Sequence, residues 1–157
     1  MNSAYEYMKC FWGLLVFVSC VASGSTCRAQ LDITLDTATV SFGTLDKTDL
    51  DAGFVEMTAA ALTYAVRVTV TDTVPQNWTL YTKTATTNFT AAVGVKPCGD
   101  LQWRQNGVGS YTAYTTSDVA AATGNGNGTV DFDFKILTSW SDKPDTYDID
   151  VVFTISN

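Results

Sequence analysis

The chain has 157 residues, 46% of them hydrophobic and only 16% charged, with a net charge of -7. That is enough apolar material for one domain with a proper core, and an acidic surface repels phosphate backbones, so nucleic acid is excluded as a natural partner. Histidine is absent, which removes Ser-His-Asp and Cys-His catalysis and the common histidine-containing zinc and iron sites.

The first segment differs from the rest. Lys9 precedes the apolar run Phe11 to Val18, and small residues follow. This is the layout of a secretory signal peptide, and the run is too short for a bilayer, which needs roughly 20 apolar residues. Two cleavage points have small residues where they are required, after Ala22 and after Ala29. The second is favoured, giving a signal over 1–29 and a domain over 30–157 that opens with LDITLD. A lipoprotein reading at Cys20 is weak because Phe17 stands where a leucine is wanted. The expected location is outside the cell or on its surface, with no transmembrane segment in the mature chain.

Beyond residue 30, helix signals are nearly absent and period-2 alternation recurs. Leu31, Ile33 and Leu35 alternate with polar residues, and ATVSFG continues extended. A polar connection ends at Gly53, and FVEMT is a short strand candidate. Tyr64, Val66, Val68 and Val70 share one strand face; after DTVPQ, Trp78, Leu80 and Thr82 share another. This pair reads as a hairpin with a longer loop. TTNFTAAVGV, LQWRQ and SYTAYTT each offer a strand, and the glycine-rich TGNGNGT marks a loop tip or a hairpin turn. Val130, Phe132, Phe134 and Ile136 then alternate with polar residues, and Tyr147, Ile149, Val151, Phe153 and Ile155 form the last strand. About eight or nine short strands with in/out alternation predict an all-β fold, a sandwich of two antiparallel sheets, with a closed barrel as the alternative.

Trp78-Thr79-Leu80 spells W-x-L after a valine-rich strand, VSFGT (Val40 to Thr44) matches an entry strand, and DTYDIDVVFTIS (Asp145 to Ser156) a closing one. On these residues the chain resembles the WxL-like domains of secreted bacterial surface proteins, and related pilin-like sandwiches share the strand pattern. The resemblance implies attachment at a bacterial cell surface. The family's second W-x-L is missing, since Trp140 is followed by Ser141 and Asp142.

Candidate sites are few. Asp142, Asp145, Asp148 and Asp150 crowd the C-terminal end without calcium-loop spacing, and read as solvated surface. Glu56 is the one glutamate beyond residue 30, and no carboxylate pair stands out for glycoside hydrolysis; no enzyme, cofactor or metal is expected. Trp78 and Tyr147 share faces with apolar residues and read as core. Tyr81, Trp103 and Tyr111 are the candidates for stacking on sugar rings. Three N-x-[ST] sequons begin at Asn77, Asn88 and Asn127, of which Asn127, on the glycine-rich tip, is best placed for a glycan. Cys98 sits on a turn and is left either to pair with Cys27, to bridge to another molecule, or to stay a buried thiol. The expected role is a secreted structural protein, a filament subunit in which Leu31, Ile33 and Leu35 complete a neighbouring copy by strand exchange. The alternative is a non-catalytic module binding cell-wall polysaccharide.

Overall fold

The computed structural model describes residues 5–10, 30–57 and 64–157, the first of these as backbone. The hydrophobic run, both cleavage candidates and Cys27 lie outside the described residues. The strands are β1 (Tyr5–Cys10), β2 (Leu31–Leu35), β3 (Phe54–Met57), β4 (Val66–Asp72), β5 (Asn77–Thr84), β6 (Leu101–Gln105), β7 (Thr112–Ala113), β8 (Val119–Asn125), β9 (Gly128–Leu137) and β10 (Ile149–Ser156). A short helix, α1 (Lys47–Ala52), and one 3-10 turn (Cys98–Asp100) complete the described elements.

The strands form two sheets, and every pairing between named strands is antiparallel. One sheet has the order β1-β10-β5-β8, three of its strands lying beyond residue 30. The other has the order β2-β4-β9-β6-β7, with β3 beside the C-terminal half of β9. The fold is therefore the all-β sandwich expected, with nine strands among the described residues from 30 onward.

Alternation explains the core. Tyr64, Val66, Val68 and Val70 are buried from β4 and its approach, Trp78 and Leu80 from β5, Phe132 and Phe134 from β9, and Val151, Phe153 and Ile155 from β10. Phe132 and Phe153 meet across the sheets with ring centroids 5.2 Å apart, a spacing at which aromatic pairs attract.

Three local expectations are corrected. First, β4 and β5 do not form a hairpin: β4 pairs with β2 and β9, and β5 with β10 and β8. The intervening turn crosses from one sheet to the other. Asp72, buried, makes it by accepting the amides of Val74 (3.1 Å) and Gln76 (2.9 Å). Alternation fixes which face a residue occupies but not which strand lies beside it. The glycine-rich stretch behaves alike: β8 pairs with β5 and β9 with β4, so the turn at Gly126 (φ 66) also changes sheets.

Second, the polar connection before Gly53 contains α1. Asp46 caps it by accepting from the amides of Thr48 and Asp49, Asp49 returns a bond to the Asp46 amide, and Gly53 closes the helix at φ 76. This reciprocal cap satisfies the first-turn donors that a six-residue helix otherwise leaves to water. Third, TTNFTAAVGV holds no named strand, only bridges from Asn88 to Pro97 and from Thr90 to Asp148, and SYTAYTT shrinks to β7.

Candidate functional site

The strand predicted to exchange, β2, lies at one end of the six-stranded sheet and pairs with β4 alone. Ile33 is buried, while Leu31 and Leu35 are partly buried and pack on the core. Backbone bonds fasten both ends: Thr73 donates to the Gln30 carbonyl (3.2 Å), and Asp36 donates to that of Arg67 (3.1 Å). In this structure β2 completes its own chain's sheet. The edge of β10 away from β5 is covered by β1, from Ile149 to Thr154.

The outer face of the six-stranded sheet carries charge in pairs. Arg67 grips Asp131 through two bonds of 2.6 and 2.7 Å, and Arg104 donates to Asp133 at 2.9 Å. Asp133 is 1% exposed and also accepts from Asn106 and the Gly107 amide. The hydrogen bond to Asp133 raises the pKa of Arg104. Tyr64 lies over Arg67, and Tyr111 has both Arg104 and Lys135 at 4.4 Å from its ring centre. Burial, and then the charge of Glu56, pushes the Tyr111 hydroxyl up. Every arginine here already has its carboxylate, so the face offers no unpaired guanidinium to an anion.

A pocket of about 390 Å³ lies between the β5–β6 and β9–β10 connections, walled by Phe42, Leu45, Phe89, Ile136 and Tyr147. Lys96 is at its wall, 3% exposed, with Nζ 2.8 Å from Asp142 Oδ2 and 3.0 Å from Asp100 Oδ2. Asp142 Oδ2 also accepts the Ser139 amide at 3.1 Å. Tyr147 meets Phe89 edge-on, and its hydroxyl donates to the Lys143 carbonyl at 2.8 Å. Gly94 passes so close that a Cβ there would stand 2.0 Å from the Tyr147 hydroxyl. Asp145 accepts the Gly94 and Val93 amides, and these bonds, in that order, draw its pKa from 3.8 to about 2. The C-terminal aspartates are thus not all solvated surface: Asp142 and Asp145 bind one connection to the other, because a buried ammonium and loop amides need acceptors.

The stacking candidates separate. Trp103, 7% exposed between Tyr114 and Phe132, is core. Tyr81 is half-buried on β5, opposite Thr154 of β10, and Tyr111 is half-buried beneath its two cations. Trp78 is core, its Nε1 donating to the Gly126 carbonyl at 2.7 Å. Asn127 is exposed at the turn, with its side-chain oxygen accepting the Asp72 amide at 2.7 Å. Cys98 is a buried free thiol 3.6 Å from the Tyr114 carbonyl. Among the described residues, no three carboxylates or thiols gather as metal ligands, and no helix is long and apolar enough to cross a membrane.

Sequence reasoning passed over Lys96 and Asp100. A lysine inside VGVKP, with an aspartate four residues on, was the available signal, since a lone cation among apolar residues needs a carboxylate when buried. No family model, no curated protein and no solved structure matches the chain.

Proposed function

We propose that the protein is a secreted structural component of the cell surface, a subunit that joins copies of itself by exchanging β2. The observation that carries this reading is the position of β2: a terminal strand of the sheet, paired on one side only, directly after the segment that reads as a signal peptide. An edge strand held by backbone bonds to β4 can be replaced in the same register by the identical strand of another copy. Leu31, Ile33 and Leu35 then fill the same places in trans. Repetition from head to tail gives a filament. The resemblance to WxL-like and pilin-like sandwiches supports the same placement.

The polysaccharide-binding alternative has less support. Of its three stacking residues, Trp103 is core and Tyr111 is already engaged by two cations.

Deleting Gln30 to Asp36 tests the exchange. The truncated subunit is expected to lose polymerisation, seen by electron microscopy, and to regain stability when an LDITLD-containing peptide is added. A full-length mature protein that stays monomeric at high concentration, with its N-terminal amides protected from exchange, would overturn the reading.

A further inference from the structure

We infer that Asn106 is a self-modifying site: the Gly107 nitrogen closes on the Asn106 side chain with Asp133 as the base, and the asparagine becomes aspartate or isoaspartate. The sequence holds three Asn-Gly pairs, beginning at Asn106, Asn125 and Asn127. Glycine has no Cβ to shield its own nitrogen, so in each pair that nitrogen can approach the side-chain carbonyl carbon of the asparagine. What separates the three is what holds the two reacting groups.

Asn106 and Gly107 are the central residues of a turn closed by the Val108 amide on the Gln105 carbonyl at 3.0 Å. One carboxylate meets both reacting groups there. Asp133 Oδ1 accepts from Asn106 Nδ2, the atom that must leave, at 2.7 Å. Asp133 Oδ2 accepts from the Gly107 amide, the atom that must attack, at 3.1 Å. Arg104 Nε, 2.9 Å from Oδ2, fixes the carboxylate, which is 1% exposed. A base already in contact with the proton it takes, and with the group that later needs that proton, replaces two encounters with solvent. The other pairs lack this arrangement. Asn125 Nδ2 donates to Asn77 Oδ1, and the Gly126 amide donates to the Gln76 carbonyl. Asn127 accepts the Asp72 amide through its side-chain oxygen, and Gly128 opens β9.

The reaction balances with solvent water as its one co-reactant. The Gly107 nitrogen gives its proton to Asp133 and bonds to Cγ of Asn106. The Cγ–Nδ2 bond breaks, and that nitrogen leaves as ammonia with the proton that Asp133 returns. The product is a cyclic succinimide. Water then opens it at Cγ, giving aspartate, or at the main-chain carbonyl carbon of residue 106, giving isoaspartate. One amide and one water become one carboxylate and one ammonium, with no oxidation.

The product carries one more negative charge, set against Asp133 where an amide donor had been, and like charges in contact repel. Isoaspartate also adds a carbon to the main chain inside the turn, beside the bond from the Asn106 amide to the Asp131 carbonyl at 2.9 Å. The modified chain is therefore expected to have a lower thermal midpoint. The event is internal to one chain and holds whether or not copies polymerise.

Incubating the freshly purified full chain at neutral pH, with peptide mass spectrometry over time, tests the inference. Exposure alone ranks the exposed Asn125 and Asn127 ahead of the half-buried Asn106. The expected result is the reverse. Asn106 gains one mass unit first, and does so several-fold faster in the folded chain than in the same chain held unfolded in urea. Conversion of Asn125 or Asn127 ahead of Asn106 would overturn the site, as would a slower rate at Asn106 in the folded chain than in the unfolded one. Both comparisons use the wild-type chain alone. An Asp133→Asn chain, shown to be folded by circular dichroism, is expected to convert Asn106 several-fold more slowly and Asn125 and Asn127 at the wild-type rate. Conversion of Asn106 at the wild-type rate in that chain would overturn Asp133 as the base.

Discussion

Replacing Trp78 with alanine removes a buried indole and strands the Gly126 carbonyl that it serves. The expected cost is about 3–5 kcal/mol, read from the denaturant midpoint. Trp78 also explains a glycine. A Cβ on Gly124 would stand 2.2 Å from the indole ring, so Gly124→Ala forces the ring to move and should destabilise by roughly 1–3 kcal/mol. In a Trp78→Ala background most of that second cost should vanish, and a double-mutant cycle showing simple additivity would refute the contact. Asp145 supplies a pH effect whose sign follows from its bonds. Its pKa falls from 3.8 to about 2 through the Gly94 and Val93 amides. The folded form therefore holds its proton less well than the unfolded chain. The stabilisation is complete above the unfolded value and is lost as pH falls through the folded one. An Asp145→Asn protein should be less stable near neutral pH and should show a shallower loss of thermal midpoint on acidification through that window. An unchanged acid slope would remove Asp145 from the account.

The helix α1 is the element that alternation hides and chemistry reveals. Asp46→Ala breaks the reciprocal cap and should lower the denaturant midpoint; a midpoint equal to that of the wild type would mean that the helix is held by its neighbours alone. The same contrast runs through the other elements. LQWRQ is β6 as read, because Leu101 and Trp103 alternate with polar residues and both turn inward. β10 and the buried face of β9 were equally plain. β8 escaped notice because alanines at 120–122 give alternation little contrast. The partners of β4 and β5 were not legible, since a four-residue connection between alternating strands serves a hairpin or a crossing between sheets equally well. Asp72 decides it by folding the chain back through two amides. Lys96 was hidden for a related reason: Asp142 reaches it only once two distant connections meet at one end of the sandwich.

At the scale of the molecule, two sheets share one core, and their strands interleave in sequence. β4 belongs to one sheet and β5 to the other, and β9 and β10 repeat the division. Neither sheet is a contiguous stretch of chain, so neither can form while the other is absent without closing long loops at an entropic cost. The rings of Phe132 and Phe153 fasten the sheets face to face. Two tryptophans allow each sheet to be watched separately: Trp78 stands on β5 and Trp103 on β6. Chains that retain only one of these two indoles, with the remaining tryptophans replaced by phenylalanine, should unfold with coincident midpoints by fluorescence and by far-ultraviolet circular dichroism. Phe153→Ala should lower both midpoints together, at a cost of about 3–5 kcal/mol. If the Trp103 signal kept its midpoint while that of Trp78 fell, the sheets would be separate cooperative units and the shared core would not be what holds the fold.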